Sequence, residues 1–253
     1  MEKSKKKTIY SVLMVIFLVI FIASAVYIGN YMINSRKQKA IYDQLKIGAA
    51  DLTNNEDEYT NQVMAHYRAL KDENPDFVGW IKAEGTNIDY PVMQTPEHNE
   101  FYLYRNFKKE DSINGSIFAD LISTIYPPSD NILLHGHNMK DGSMFATMLR
   151  YRDESFYQEH PTIQFDTLDG LGTYQIISVF RVDVSINSPD FKYYNFGNAE
   201  NAQEFEDYVK NVKALSYYDT GHTASYGDKL ITLSTCEFNS ENGRLVIVAK
   251  RIK

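Results

Sequence analysis

The run Leu230-Ile-Thr-Leu-Ser-Thr-Cys236 is followed, eight residues after its cysteine, by Arg244-Leu-Val-Ile-Val-Ala-Lys250. Both runs are short, apolar and rich in β-branched residues, which predicts two strands. Asn242-Gly243 between them is a turn signal, so the pair reads as an antiparallel hairpin with a loop over Glu237 to Gly243. Cys236 then ends one strand and Arg244 opens the next, at the same end of the sheet. Strand alternation sets Cys236 on one face with Ser234 and Thr232, and Ile231 and Leu233 on the other. Cys236 is the only cysteine in the 253 residues, so no internal disulfide is available to it. A guanidinium near a thiol favours the thiolate or binds an oxyanion.

Six further apolar runs read as strands: Phe77–Ile81, Ile88–Val92, Ser116–Ala119, Ile132–His135, Thr162–Phe165 and Tyr174–Phe180. Eight short strands separated by turn residues predict a closed barrel or a sandwich. Two helices are expected among them. One spans Met144 to Tyr151, with Ser143 as cap and Phe145, Met148 and Leu149 inward. The other spans Glu200 to Leu215, with Ala202, Phe205, Val209 and Val212 on one face. Residues 36–71 read as two further helices, broken near Gly48 and Asp51–Asn55 and stopped by Asn74-Pro75. The acidic run Asn54–Glu58 reads as a solvated helix start rather than a metal site.

The N-terminus carries Lys3, Lys5, Lys6 and Lys7, and residues 8–35 hold no charge. Twenty-eight residues of helix span about 42 Å, enough to cross a hydrocarbon core of roughly 30 Å. The lysines place the N-terminal tip in the cytoplasm, and Tyr27 and Tyr31 suit the far interface. Ala23-Ser24-Ala25 also resembles a signal-peptide cleavage site. Apolar character continuing through Val26-Tyr27-Ile28 and Tyr31-Met32-Ile33 favours a retained anchor. Residues 1–35 are thus expected to be cytoplasmic tip and anchor. Residues 36–253 are expected to be an extracellular domain, with helices over 36–75 and a barrel over 76–253. The chain's net charge is −7, and more acidic once the four leading lysines are set aside. That balance argues against non-specific nucleic-acid binding.

A cysteine nucleophile usually needs a base, and six histidines are available. His66, His98, His160 and His222 sit among polar or helical residues and read as ordinary. Asn131-Ile-Leu-Leu-His-Gly-His137 is an apolar strand leading into a loop. His135 lies within the strand and reads as structural. His137 lies at its mouth, where Gly136 permits a sharp exit and catalytic side chains tend to be mounted.

These residues resemble a family signature. Thr232-Leu-Ser-Thr-Cys236, Arg244 and Gly136-His137 are similar to the motifs of sortases, the cysteine transpeptidases of Gram-positive cell surfaces. The resemblance is closest to class B, in Asn74–Ile81, Ile88–Gln94, Gly115–Phe118, Gly136–Phe145 and the helix near 200–215. It implies an eight-stranded sortase β-barrel, mainly β with peripheral N-terminal helices, preceded by one transmembrane helix. It implies that Cys236 attacks the carbonyl of a Thr in a C-terminal sorting signal and that His137 serves as acid and base. Arg244 would hold the substrate backbone or the oxyanion. A peptidoglycan or lipid II amine would then resolve the thioester. The partners implied are surface proteins carrying the sorting signal, with the enzyme in the cell membrane, single-pass, and its catalytic domain outside. No cofactor and no metal is implied. Ser234 and Thr235 are candidates to line the substrate groove, or else strand residues satisfying local hydrogen bonds. Two rival readings stay open: an L,D-transpeptidase-like enzyme, whose cysteine typically follows glycine rather than Thr235, and a non-catalytic surface binder using some of the 19 tyrosines.

Overall fold

The computed structural model describes residues 2–48, 55–236 and 242–253. Two compact units are distinguished, residues 1–43 and 44–253. In the first, helix α1 (Glu2–Leu45) runs without a break past residue 35. Its apolar part has a mean hydropathy of 2.8 over the best window, none of it buried, and is long enough to cross a membrane.

In the second unit, α2 (Glu56–Glu73) starts where Asn55 Oδ1 accepts the Glu58 N–H at 3.1 Å. Glu56, Asp57 and Glu58 fill the first turn, where carboxylates favour the helix dipole. The acidic run is therefore a helix start, as its sequence suggests. The expected break at 51–54 lies outside the described residues.

Eight strands follow: β1 Phe77–Lys82, β2 Asp89–Met93, β3 Ile117–Ala119, β4 Asn131–His135, β5 Thr162–Thr167, β6 Thr173–Asp183, β7 Leu230–Cys236 and β8 Gly243–Arg251. They close in the order β1-β2-β3-β4-β7-β8-β6-β5. The pairs β2–β3 and β4–β7 are parallel and the others antiparallel. In β4, β7 and β8 both faces are covered, which is why they read as continuous apolar runs. Ile132, Leu134, Ile231, Leu233, Leu245 and Ile247 alternate with a second buried set. That second set, Leu133, Leu230, Val246 and Val248, packs with Phe205, Tyr208, Val209 and Val212 of helix α4 (Ala202–Leu215). Helix α3 (Glu154–Glu159) is too short to leave a periodic signal.

Two helix expectations need correction. The segment after Ser143 is a 3-10 helix over Ala146–Arg152, and Ser143 does not cap it. Ser143 Oγ donates to Asp141 Oδ1 at 2.6 Å instead. Met144 adopts φ 57°, held by its N–H donating to the Tyr90 hydroxyl at 3.0 Å, so the helix cannot begin earlier. With three residues per turn, Phe145, Met148 and Tyr151 share a face and are fully buried, and Leu149 is only half-buried. In α4, Ala202 is exposed because it is the first helical residue after the Asn201 cap, and Tyr208 completes the buried stripe.

Candidate active site

The site forms where β4, β7 and β8 end side by side. Cys236 and Arg244 are direct cross-strand partners, so both side chains lie on one face of the sheet. The hairpin is thus antiparallel as expected, although residues 237–241 of its loop lie outside the described residues. The Cys236 thiol is free and exposed. Arg244 is half-buried, and its Nη1 donates to the Gly243 carbonyl at 3.0 Å.

On the other side of β7, the last parallel pair is His135 with Ser234. The Gly136 N–H continues the ladder to the Ser234 carbonyl at 3.2 Å, and the chain then leaves the sheet. His137 Nε2 sits 2.7 Å from the carbonyl oxygen of Leu103. A carbonyl only accepts, so Nε2 carries the hydrogen and Nδ1 of the neutral ring keeps its lone pair. The ring is tilted against Tyr104, with centroids 5.7 Å apart. Burial pushes the His137 pKa below its ordinary value, with the Leu103 hydrogen bond opposing.

Cys236, His137, Arg244, Ser234 and Thr235 all line one cleft of about 600 Å³. The hydroxyls of the last two are already engaged. Ser234 Oγ is 2.6 Å from the Tyr193 hydroxyl, and Thr235 Oγ1 donates to the Gly136 carbonyl at 2.8 Å. Burial pushes the Tyr193 phenol up to about 12, against the Ser234 hydrogen bond and the nearby Arg244 charge.

His135 is held by Asp120, Nε2 to Oδ2 at 2.9 Å, and Asn99 Nδ2 donates to the same oxygen at 2.9 Å. Burial would raise the Asp120 pKa, but the hydrogen bonds from His135, Asn99 and the Ile122 N–H prevail and hold it at about 2. Asp120 thus fixes the His135 ring, which also faces the cleft.

The sequence did not single out Leu103, Tyr193 or Asp120. Leu103 acts through its backbone carbonyl, which no side-chain pattern can reveal. Tyr193 lies in a 3-10 turn over Tyr193–Asn195 that has no apolar period.

Residues 81–252 match the family model described as the Sortase domain. The chain belongs to the sortase family. It is 36% identical to Sortase B of Listeria monocytogenes, with 95% of each chain covered. It is 30% identical to Sortase B of Staphylococcus aureus, over 100% of this chain and 99% of the relative. Its fold matches the solved structure of a Staphylococcus aureus sortase B–substrate complex with a TM-score of 0.73 and 30% identity, covering 87% of this chain and 99% of that one. This sortase is of class B, a cysteine transpeptidase of the cell wall, and the barrel is the one its motifs imply. The L,D-transpeptidase-like and non-catalytic readings are set aside by these matches.

Proposed function

We propose that Cys236, His137 and Arg244 carry out the transpeptidation, and that the chain acts on surface proteins bearing a C-terminal sorting signal. The observation that carries this reading is that the three side chains, from the ends of three neighbouring strands, line one cleft. The thiol sulfur attacks the carbonyl of the Thr at the cleavage point. Its proton passes to Nδ1 of His137, because Nε2–H is committed to Leu103. Burial favours the neutral ring, which leaves the imidazole able to take the proton as the S–C bond forms. The tetrahedral oxyanion meets the guanidinium of Arg244, and one of that fork's N–H groups is steadied by Gly243.

As the C–N bond breaks, the imidazolium returns its proton to the leaving amine and a thioester remains on Cys236. A peptidoglycan or lipid II amine then attacks the thioester, gives a proton to His137, and displaces the thiolate, which is reprotonated. The product is an amide joining the protein to the wall. Ser234 and Thr235 line the groove, but their engaged hydroxyls leave mainly backbone and methyl surface for the substrate. Residues 1–35 serve as cytoplasmic tip and single-pass anchor, with residues 36–253 outside the membrane, 36–75 as helices and 76–253 as barrel. The similarity to a Staphylococcus aureus sortase B–substrate complex supports reading this chain as an enzyme that binds such a substrate.

The test uses the full chain in detergent with a library of peptides containing Thr. Wild type should cleave a subset and accumulate an acyl adduct on Cys236, read by intact mass. Cys236→Ala should give neither while keeping its circular dichroism. Appreciable turnover by Cys236→Ala would end this reading, since no other thiol exists in the chain.

A further inference from the structure

Asn138 follows the proposed base, and its side chain reaches across to the nucleophile's own backbone. Asn138 Nδ2 donates to the carbonyl oxygen of Cys236 at 3.0 Å. Asn138 is only 9% exposed, although the contact it makes is part-buried because Cys236 is exposed. Asn138 also forms an isolated antiparallel bridge with Met144. The Phe145 N–H donates to the His137 carbonyl at 2.9 Å, closing the same loop. His137 therefore hangs on a closed loop, and one amide ties that loop to the end of β7.

The need for such a tie follows from the topology. Regular pairing of β4 with β7 stops at His135 and Ser234, yet His137 and Cys236 both lie two residues further on. Gly136 contributes one hydrogen bond to Ser234 and receives one from Thr235. Past that point, the hydrogen bond from Asn138 to the Cys236 carbonyl joins the two chain ends. The chemistry suits an amide. The Cys236 carbonyl can only accept, so the tie needs a donor, and an ionised carboxylate of the same shape would repel it.

We propose that Asn138 is a positioning residue that sets the separation of the His137 imidazole from the Cys236 thiol. This rests on the reading of Cys236 and His137 as the reacting pair. Without the tie, the loop carrying His137 can drift from the end of β7. A misplacement of about 1 Å costs roughly a hundredfold in rate, so a fall in kcat of about ten- to a hundredfold is expected with KM little changed.

The test needs no knowledge of the sorting motif. The full chain in detergent is alkylated with iodoacetamide across pH 5 to about 10, and Cys236, the only thiol, reports through mass. Wild type should show an inflection from His137 that His137→Ala lacks. Asn138→Ala should reproduce most of that loss while its melting curve stays cooperative. Asn138→Asp should resemble alanine across this range, because its carboxyl is ionised above about pH 4 and cannot donate. Asn138→Gln, which keeps a donor amide, should recover part of the wild-type profile. That recovery is something a merely structural role would not produce, and it also serves if alanine proves too unstable. A wild-type profile in Asn138→Ala or in Asn138→Asp would overturn the proposal. If His137→Ala itself left the profile unchanged, the pairing of His137 with Cys236 would have failed, and with it the basis for any tie.

Discussion

Gly136→Ala is the sharpest probe of how the fold aims the proposed base. A Cβ at Gly136 would overlap Ile117 Cδ1 and lie 2.7 Å from Phe145 Cδ2 and 2.9 Å from Phe145 Cγ. Ile117 and Phe145 are both fully buried, and the ring cannot swing aside as a flexible chain end would. Gly136 cannot retreat without loosening its hydrogen bonds to Ser234 and Thr235, at 3.2 and 2.8 Å. Overpacking of this kind costs about 1–3 kcal/mol. The strain falls between His135 and His137, so it should lift the His137 loop as well as destabilise the barrel. A shift approaching 1 Å lowers the rate roughly a hundredfold. The assay pairs a thermal melt with peptide cleavage measured well below the melting point. The expected result is a lower Tm, a kcat reduced about ten- to a hundredfold and a KM near wild type. Adding Ile117→Val, which removes Cδ1, should recover part of both losses. A folded Gly136→Ala enzyme with wild-type kcat would refute the argument that this glycine holds His137 in place.

His137→Ala should reduce cleavage by roughly a hundred- to ten-thousandfold. His135→Ala should act mainly on stability, by about 1–3 kcal/mol, since it strips a partner from the half-buried Asp120; a dead but folded His135 variant would reverse the roles. Arg244→Lys should be nearly as damaged as Arg244→Ala in kcat/KM, because lysine keeps the charge but not the planar fork, and near-full activity of the lysine variant would reduce Arg244 to a point charge. Asp120 has a folded pKa of about 2, below its ordinary value of 3.8. Its contribution to stability is therefore fully present above about pH 4 and lost as pH falls toward 2, and Asp120→Asn should flatten the acid limb of a Tm–pH curve over that window.

All eight strands were legible because each is a short β-branched run between turn residues, and the three proposed reacting side chains were legible because they sit at strand ends. Strand pairing was not. β4 and β7 are neighbours although Asn131 and Leu230 lie about a hundred residues apart, and nothing local specifies their parallel register. Period misled where the helix was not α. Leu149 fits a 3.6-residue repeat from Phe145, but the segment turns every three residues and buries Tyr151 instead. The contacts that orient the site were invisible for another reason. The Leu103 carbonyl and the Cys236 carbonyl are backbone groups, and every residue has one.

The closed barrel has a consequence for how an extended peptide can be recognised. In the described residues each of the eight strands is flanked by two others, with β1 pairing β5 to complete the ring. A sheet with a free edge can bind a peptide as an added strand, reading it chiefly through main-chain hydrogen bonds. Among the described residues this barrel offers no such edge, and its cleft is lined by side chains of strand faces, strand ends and connecting segments. Those connecting segments include the turn around Leu103 and the stretch carrying Tyr193, which can vary in sequence without unpairing any strand. The scaffold can thus keep one reaction while its choice of peptide changes.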